Sequence, residues 1–224
     1  MTKKEKKELA KEVTERLREL YPEAECALEY GGDPFRLLVM GRLSAQCTDK
    51  RVNIVAKELF AEYPTAFDLA SADISRVEEI VRPCGLYRTK ADNIIEASKM
   101  LVTKFGGKLP DTMEELLLLP GVGRKIANLL LGDIFAKPAI VCDTHCIRIC
   151  GRLGLYPESL KDPQKTEKIL RELIDPSEGS DFCHRIVLFG REICSARSPK
   201  CSECPLFDLC AKQKTKSKKG AHHE

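Results

Sequence analysis

Along most of this 224-residue chain, apolar residues recur every three or four positions, the spacing of a helix with one buried side. Leu9, Val13, Leu17 and Leu20 mark a first helix ended by Tyr21-Pro22, and Gly31-Gly32-Asp33-Pro34 is a clear break. A dense apolar run follows over residues 35–43. Thr48 or Asp49 then caps a helix with Val52, Ile54, Val55, Leu59 and Phe60 inside, which Pro64 ends. Phe67, Leu69, Ile74, Val77, Ile80 and Val81 supply two shorter helices, and Pro83-Cys84-Gly85-Leu86-Tyr87 reads as a turn ending in exposed bulk. Ala91, Ile94, Ile95, Met100, Leu101 and Phe105 form another helix, closed by Gly106-Gly107. Lys137-Pro138-Ala139-Ile140-Val141 is the one plausible extended piece. Asp143 or Thr144 caps a helix through Leu153 that Gly154 ends, and two more helices lie around 166–174 and 182–193. Period-two alternation is almost absent, so the pattern predicts an all-α protein without a short repeat.

The middle of the chain departs from plain helix. Leu119-Pro120-Gly121-Val122-Gly123-Arg124-Lys125 separates two leucine-rich helical segments. Thr112 caps the first, whose apolar side is Met113, Leu116, Leu117 and Leu119; Ile126, Ala127, Leu129, Leu130, Ile134 and Phe135 continue the second. Pro120 stops the first helix, and Gly121 and Gly123 let the backbone turn without a Cβ clash. The result is a helix, a tight hairpin and a helix over about 112–135, with the first N–H groups of the second helix aimed back at the hairpin. A glycine turn between two helices is common and needs no function. Arg124 and Lys125, however, place two cations at the helix end that normally favours acids. That cost suggests a use, and the natural ligand is a phosphate.

Composition narrows the class. Hydrophobic content of 43% with 32% charge is that of a globular protein. No apolar run approaches the roughly 20 residues needed to cross a bilayer, and the N-terminus leads into no signal-like segment. No membrane partner and a cytoplasmic location are therefore expected. A net charge of +3 announces no global basic field, but Lys212, Lys214, Lys216, Lys218 and Lys219 form a basic tail over 212–224, disordered or merely solvated.

Eleven cysteines in a chain read as cytoplasmic are not a disulfide framework. Cys194-x6-Cys201-x2-Cys204-Pro205-x4-Cys210 puts four within seventeen residues and reads as one thiolate site. Zinc and a [4Fe-4S] cluster both accept four thiolates. Only Cys201 and Cys204 form the close pair that zinc modules use twice, so the uneven loops favour iron–sulfur. Cys142, Cys146 and Cys150 share one helix face at i, i+4 and i+8, and their apolar neighbours point to a packed surface rather than a metal site. Cys26, Cys47, Cys84 and Cys183 read as structural or incidental.

Chemistry can also be assigned to the hairpin. An amine attacks carbon only when neutral, and the positive helix end and the adjacent Arg124 both favour the neutral form of Lys125. Asp143 is the candidate carboxylate to move protons and steady positive charge on a sugar. A plain helix N-cap is its simpler role, and the two are compatible.

Three stretches together closely resemble the endonuclease III family: Leu119 to Lys125, then Val141-Cys142-Asp143-Thr144-His145, then the four spaced cysteines. Leu43-Ser44-Ala45-Gln46-Cys47-Thr48-Asp49 and Gly85-Leu86-Tyr87 extend the likeness upstream, so that it covers nearly the whole chain. The family consists of bifunctional DNA glycosylases with abasic-site lyase activity, within the helix-hairpin-helix glycosylase superfamily. The resemblance implies a six-helix barrel over 27–137 and a second, discontinuous helical domain made of 1–26 and 138–211, which carries a [4Fe-4S] cluster held by Cys194, Cys201, Cys204 and Cys210. It implies a monomer acting on double-stranded DNA with oxidised pyrimidines or abasic sites, associated with the nucleoid through that DNA. Lys125 would attack the sugar and Asp143 assist. Gly121, Val122, Gly123 and Arg124 would grip phosphate, with further DNA contacts from His145, Arg197 and Lys200. Gln46 would fill the space left by an extruded base, and Leu86 would wedge into the opposite strand. Ser198 stands where relatives often carry another cation, and Cys47 and Cys142 are unusual neighbours for Gln46 and Asp143. The adenine-specific mismatch glycosylases share the fold but lack the hairpin lysine. A non-catalytic iron–sulfur DNA-binding protein would not need Lys125 and Asp143 together.

Overall fold

The computed structural model describes residues 1–213, and every regular element among them is helical. The basic tail expected over 212–224 lies outside the described residues from 214 onward. Lys212 is described, and its Nζ donates to Glu158 Oε1 at 2.8 Å.

In chain order the α-helices are α1 (Lys3–Leu20), α2 (Pro34–Leu43), α3 (Asp49–Glu62), α4 (Ala66–Ala70), α5 (Ile74–Val81), α6 (Tyr87–Phe105), α7 (Met113–Leu116), α8 (Arg124–Asp133), α9 (Thr144–Leu153), α10 (Pro163–Leu173) and α11 (Gly179–Glu192). The chain divides into two compact units: Cys26–Ala136, which holds α2 to α8, and a discontinuous unit of Met1–Glu25 with Lys137 onward, which holds α1 and α9 to α11.

In the continuous unit α2 is the central element. Asp33 caps it through Phe35 N and Arg36 N, Pro34 begins it, and Leu37, Leu38, Val39, Met40 and Leu43 are all buried. A helix apolar on nearly all sides has no solvent face to offer. It packs on α3 and α8, while α6 runs along α4 and α5. Gly41 faces α8 closely: a Cβ there would be in ordinary contact with Ile126 Cγ2, at 3.4 Å. On α3 the buried stripe is Val52, Val55, Ala56, Leu59 and Phe60, and Ile54, expected inside, is 57% exposed. The reason is register, because position 54 lies off the i, i+3, i+4, i+7, i+8 row that starts at Val52. Leu20 and Leu117 are also exposed, one at the last residue of α1 and the other beyond the end of α7.

The hairpin forms as a helix, turn and helix, with one difference from expectation. Thr112 caps α7 through Glu115 N, but α7 stops at Leu116, before Pro120. Turns lead on to Leu119, whose carbonyl accepts from Val122 N at 3.0 Å. Pro120 and Gly121 are the central residues of that turn; Gly121 has φ +77°, as a type II turn demands. Gly121 also lies against α2 and α6: a Cβ would meet Arg42 Nε at 2.6 Å and Asn93 Oδ1 at 2.7 Å, two groups already bonded to each other at 2.9 Å. Gly123 is different, with φ −100° and ψ 176°, and a Cβ added there would meet nothing within 4 Å.

In the discontinuous unit, α11 packs against α9 and α1. The expected extended piece over 137–141 finds no strand partner among the described residues. It lies instead against α11, where a Cβ on Gly179 would strike the Ala139 carbonyl and Val141 N donates to Cys183 Sγ at 3.2 Å. This contact delivers the chain to Asp143, which caps α9 by accepting from Cys146 N at 2.7 Å. Both α10 and α11 start earlier than periodicity indicates, α10 at Pro163 behind an Asp162 cap.

The two hairpin glycines should therefore respond differently to a methyl group. Gly121→Ala should lower stability by about 1–3 kcal/mol, since it adds left-handed strain to a clash with Arg42 and Asn93. Gly123→Ala should cost less than about 1 kcal/mol. Chemical denaturation of both variants checks the order.

Candidate functional site

Lys125 is the second residue of α8 and is exposed. Gly123 is the N-cap, and no side chain caps the helix. Ser, Asp or Asn would be the stabilising choice at this position. Fold geometry does not require glycine at 123, so the reason for it lies outside: a bare N-cap leaves the helix N-terminus open to an anion. Gly121, Gly123 and Lys125 are exposed and Arg124 is half-buried. Val122 is placed otherwise. Its side chain is 8% exposed and its N–H closes the turn onto Leu119, so it shapes the hairpin rather than offering a donor.

Two loops of the same unit carry the residues expected to enter a duplex. Gln46 is exposed at φ +54°, and Leu86 is 58% exposed at φ +48°. Left-handed backbone costs a non-glycine residue about 1–2 kcal/mol. Strain of this kind collects at functional positions. Leu86 is thus held out in solvent in a conformation that leucine disfavours. Cys47 and Cys84 come within hydrogen-bonding reach of each other beside these loops, and burial, reinforced by Cys47, pushes the Cys84 thiol up to about 12.

In the discontinuous unit, α9 carries the other candidates. Asp143 is half-buried at its N-cap, held through Oδ1. His145 follows one residue into the helix, and Gly190 on α11 makes room for its ring. Arg148 Nη2 lies 3.2 Å from His145 Nδ1, within hydrogen-bonding distance. Arg148 also donates to the Cys194 carbonyl at 3.0 Å. One turn on, Arg152 donates to the carbonyls of Ser195 at 2.7 Å and Ala196 at 2.8 Å. The backbone of the loop after Cys194 is thereby fixed, with Arg197 and Lys200 exposed on it.

Cys194, Cys201, Cys204 and Cys210 line one small cavity of ≈ 50 Å³, walled by Ile193, Pro199 and Phe207. Donors already face the sulfurs: Arg152 Nη1 lies 3.3 Å from Cys194 Sγ and Gln213 Nε2 2.9 Å from Cys201 Sγ. Four sulfurs around one apolar-walled space, with N–H donors aimed at them, suit an iron–sulfur cluster, whose charge such bonds stabilise. The other cysteines make no comparable site. Cys142, Cys146, Cys150 and Cys183 are buried, with Cys146 in hydrogen-bonding reach of the other three. Among the described residues, the four cysteines of the cavity included, no three Cys, His, Asp or Glu side chains are arranged to hold a single ion.

Sequence reasoning missed Arg42, Asn93, Lys90, Arg148, Arg152 and Gln213. For two of these arginines, Arg148 and Arg152, a signal was available: they stand four apart on the helix that Asp143 caps, so they share a face.

Comparison with known proteins adds five matches, to two family models, two relatives and one solved structure. Residues 39–176 match the family described as HhH-GPD superfamily base excision DNA repair protein, and 194–210 match the iron–sulfur binding domain of endonuclease III. The chain is 45% identical over 206 residues to endonuclease III of Synechocystis sp., covering 92% of this chain and 93% of that protein. It is 40% identical over 208 residues to endonuclease III of Bacillus subtilis, with 92% and 93% covered. It also superimposes on the solved structure of a trapped endonuclease III–DNA covalent intermediate, with TM-score 0.88, 39% identity, and 97% of this chain and 99% of that one covered.

Purified protein should contain iron and acid-labile sulfide in a ratio of about four to four. Cys204→Ser should lose both, and Cys146→Ala should lose neither. Stoichiometric zinc without sulfide would overturn the assignment of the four cysteines.

Proposed function

The chain belongs to the endonuclease III family of HhH-GPD base-excision repair proteins, and on that premise we propose that it removes oxidised pyrimidines from duplex DNA and then cleaves the abasic site on its 3′ side through a Schiff base on Lys125. It is a base-excision DNA glycosylase and abasic-site lyase with DNA as its partner and an iron–sulfur binding domain. The lesion class, the monomeric state and the residue roles below are our own reading. The observation that carries it is Lys125, exposed on the first turn of a helix that no side chain caps, directly after the glycine-bearing hairpin turn.

The hairpin anchors the strand: α8's open N-terminus and Arg124 draw a phosphate to the residue beside the nucleophile. Gln46 and Leu86 enter the duplex and occupy the gap left by an extruded nucleotide. A damaged base stacks and pairs poorly, so extruding it costs less and part of the selectivity precedes any pocket. Lys125 Nζ then bonds to C1′ as the C1′–N bond to the base breaks, and the base leaves with a proton. Ring opening gives the Schiff base. Loss of a C2′ proton expels the 3′ phosphate by breaking C3′–O, and water releases Lys125. Asp143, fixed by its cap through Oδ1, keeps Oδ2 for the proton transfers and for charge developing on the sugar. The four cysteines hold the cluster, and Arg148 and Arg152 hold the loop that presents Arg197 and Lys200 to the phosphates.

Borohydride trapping tests the assignment. Lys125→Ala and Lys125→Gln should abolish the trapped adduct and strand cleavage while lesion DNA still binds. Asp143→Asn keeps a capping oxygen, so folding should survive, with base release slowed about a hundred- to ten-thousand-fold. Pre-formed abasic DNA should still be trapped by that variant. A trapped adduct in Lys125→Ala would mean that a different amine is the nucleophile.

A further inference from the structure

Among the described residues, one lysine has no exposed surface. Lys90 on α6 is 0% exposed, and its Nζ donates to the carbonyls of Leu43 and Cys84, both at 2.8 Å. Leu43 is the last residue of α2, and Cys84 is the last residue of a short 3₁₀ turn, Arg82–Cys84. Carbonyls at such ends lack intrahelical partners and carry the negative end of the dipole, so an ammonium satisfies both. Gln46 comes three residues after Leu43, and Leu86 two after Cys84; both have positive φ. We propose that Lys90 is a positioning residue for base extrusion, its ammonium tying the loop that carries Gln46 to the loop that carries Leu86 and setting their spacing.

The choice of residue supports this. Position 90 lies on the buried stripe of α6 with Ala91, Ile94, Ile95, Ala97, Ser98 and Leu101, where leucine or methionine would fill the space without burying a charge. The acidic groups near its charge are the thiols of Cys84 and Cys47 rather than a carboxylate, and Arg42 is a nearby cation. Burial pulls the lysine below its ordinary pKa. A compact ammonium on a long stem carries three donors, enough to serve two carbonyls on separate segments. The two loops would otherwise be free to settle independently out of their left-handed conformations.

The inference rests on the functional reading above, and its test separates the two. Full-length, cluster-loaded protein is compared with Lys90→Met on two DNAs. One is a duplex with an oxidised pyrimidine; the other has a pre-formed abasic site opposite a gap, where no pair has to be opened. Single-turnover cleavage of the first should fall about ten- to a hundredfold, the scale of a misplaced positioning group. Borohydride trapping on the second should stay near wild type. The fluorescence rise of 2-aminopurine placed opposite the lesion, which reports unstacking, should shrink in step with the duplex rate. Adding Lys90→Met to Leu86→Ala should cost much less than adding it to wild type, because the two act through one step. If Lys90→Met fails to fold, Lys90→Gln, whose amide nitrogen ends one bond short of the Nζ position and so cannot bridge both carbonyls at that length, is judged by the same criteria. An unchanged duplex rate, an equal loss on both DNAs, or additive effects with Leu86→Ala would each overturn the proposal. A wild-type protein that neither cleaves the lesion duplex nor traps on abasic DNA would instead sink the functional reading itself.

Discussion

Helix α8 lies close against α2 at position 41, where the packing leaves room for little more than a methyl group. A Cβ at Gly41 would already touch Ile126, the residue after Lys125, at 3.4 Å. Any larger residue would push α8 away, and with it the hairpin. The next residue along α2, Arg42, bonds Asn93 of α6 and fits beneath Gly121. The next after that, Leu43, gives its carbonyl to Lys90. Three consecutive positions at the end of one buried helix thus set the place of Lys125, the shape of the hairpin turn and the start of the Gln46 loop. Interiors packed to crystal density transmit such constraints instead of absorbing them. The site is rigid on this side because α2 has almost no polar face to give way.

The all-helical class, most caps and the hairpin were legible because each rests on local chemistry. Thr48, Thr112 and Asp143 cap where a short oxygen-bearing side chain precedes an apolar period, and Gly154 closes α9 with φ +92° as a C-terminal glycine should. The four-cysteine loop was legible from spacing. What the residues could not show was which partner each long polar side chain finds across the fold. Lys90, Arg148 and Arg152 read as ordinary cations on helices, although Lys90 sits on the apolar row of α6 and so could have been flagged by register alone. Ile54 is the opposite error, an apolar residue counted into a core whose row it does not share. The difference between Gly121 and Gly123 was also hidden. Both looked like turn glycines, but only Gly121 has a positive φ and a crowded Cβ position. On the function proposed above, the bare N-cap at Gly123 serves the phosphate that approaches it, and that is information about a ligand rather than about the fold.

Helix α9 joins the two kinds of chemistry in the discontinuous unit. Asp143 sits at its start as the cap, and Arg148 and Arg152 on the next two turns hold the backbone that follows Cys194. The cap orients the carboxylate through a bond to Cys146 N, so the orientation depends on where the helix begins. The helix in turn is wedged between the small residues of α11 and a fully buried tyrosine, Tyr156, whose hydroxyl donates to the carbonyl of Ile147 at 3.1 Å. A cluster seated among the four cysteines would therefore brace the far end of the same rod that presents Asp143. Loosening the loop would free two arginines bonded to it through their Nη atoms, and Arg152, 9% exposed, would lose partners for a charge it cannot easily return to water. The penalty falls on α9. Stability of the cysteine loop and precision of the carboxylate are thus coupled through one helix, with no need for the cluster to take part in the reaction.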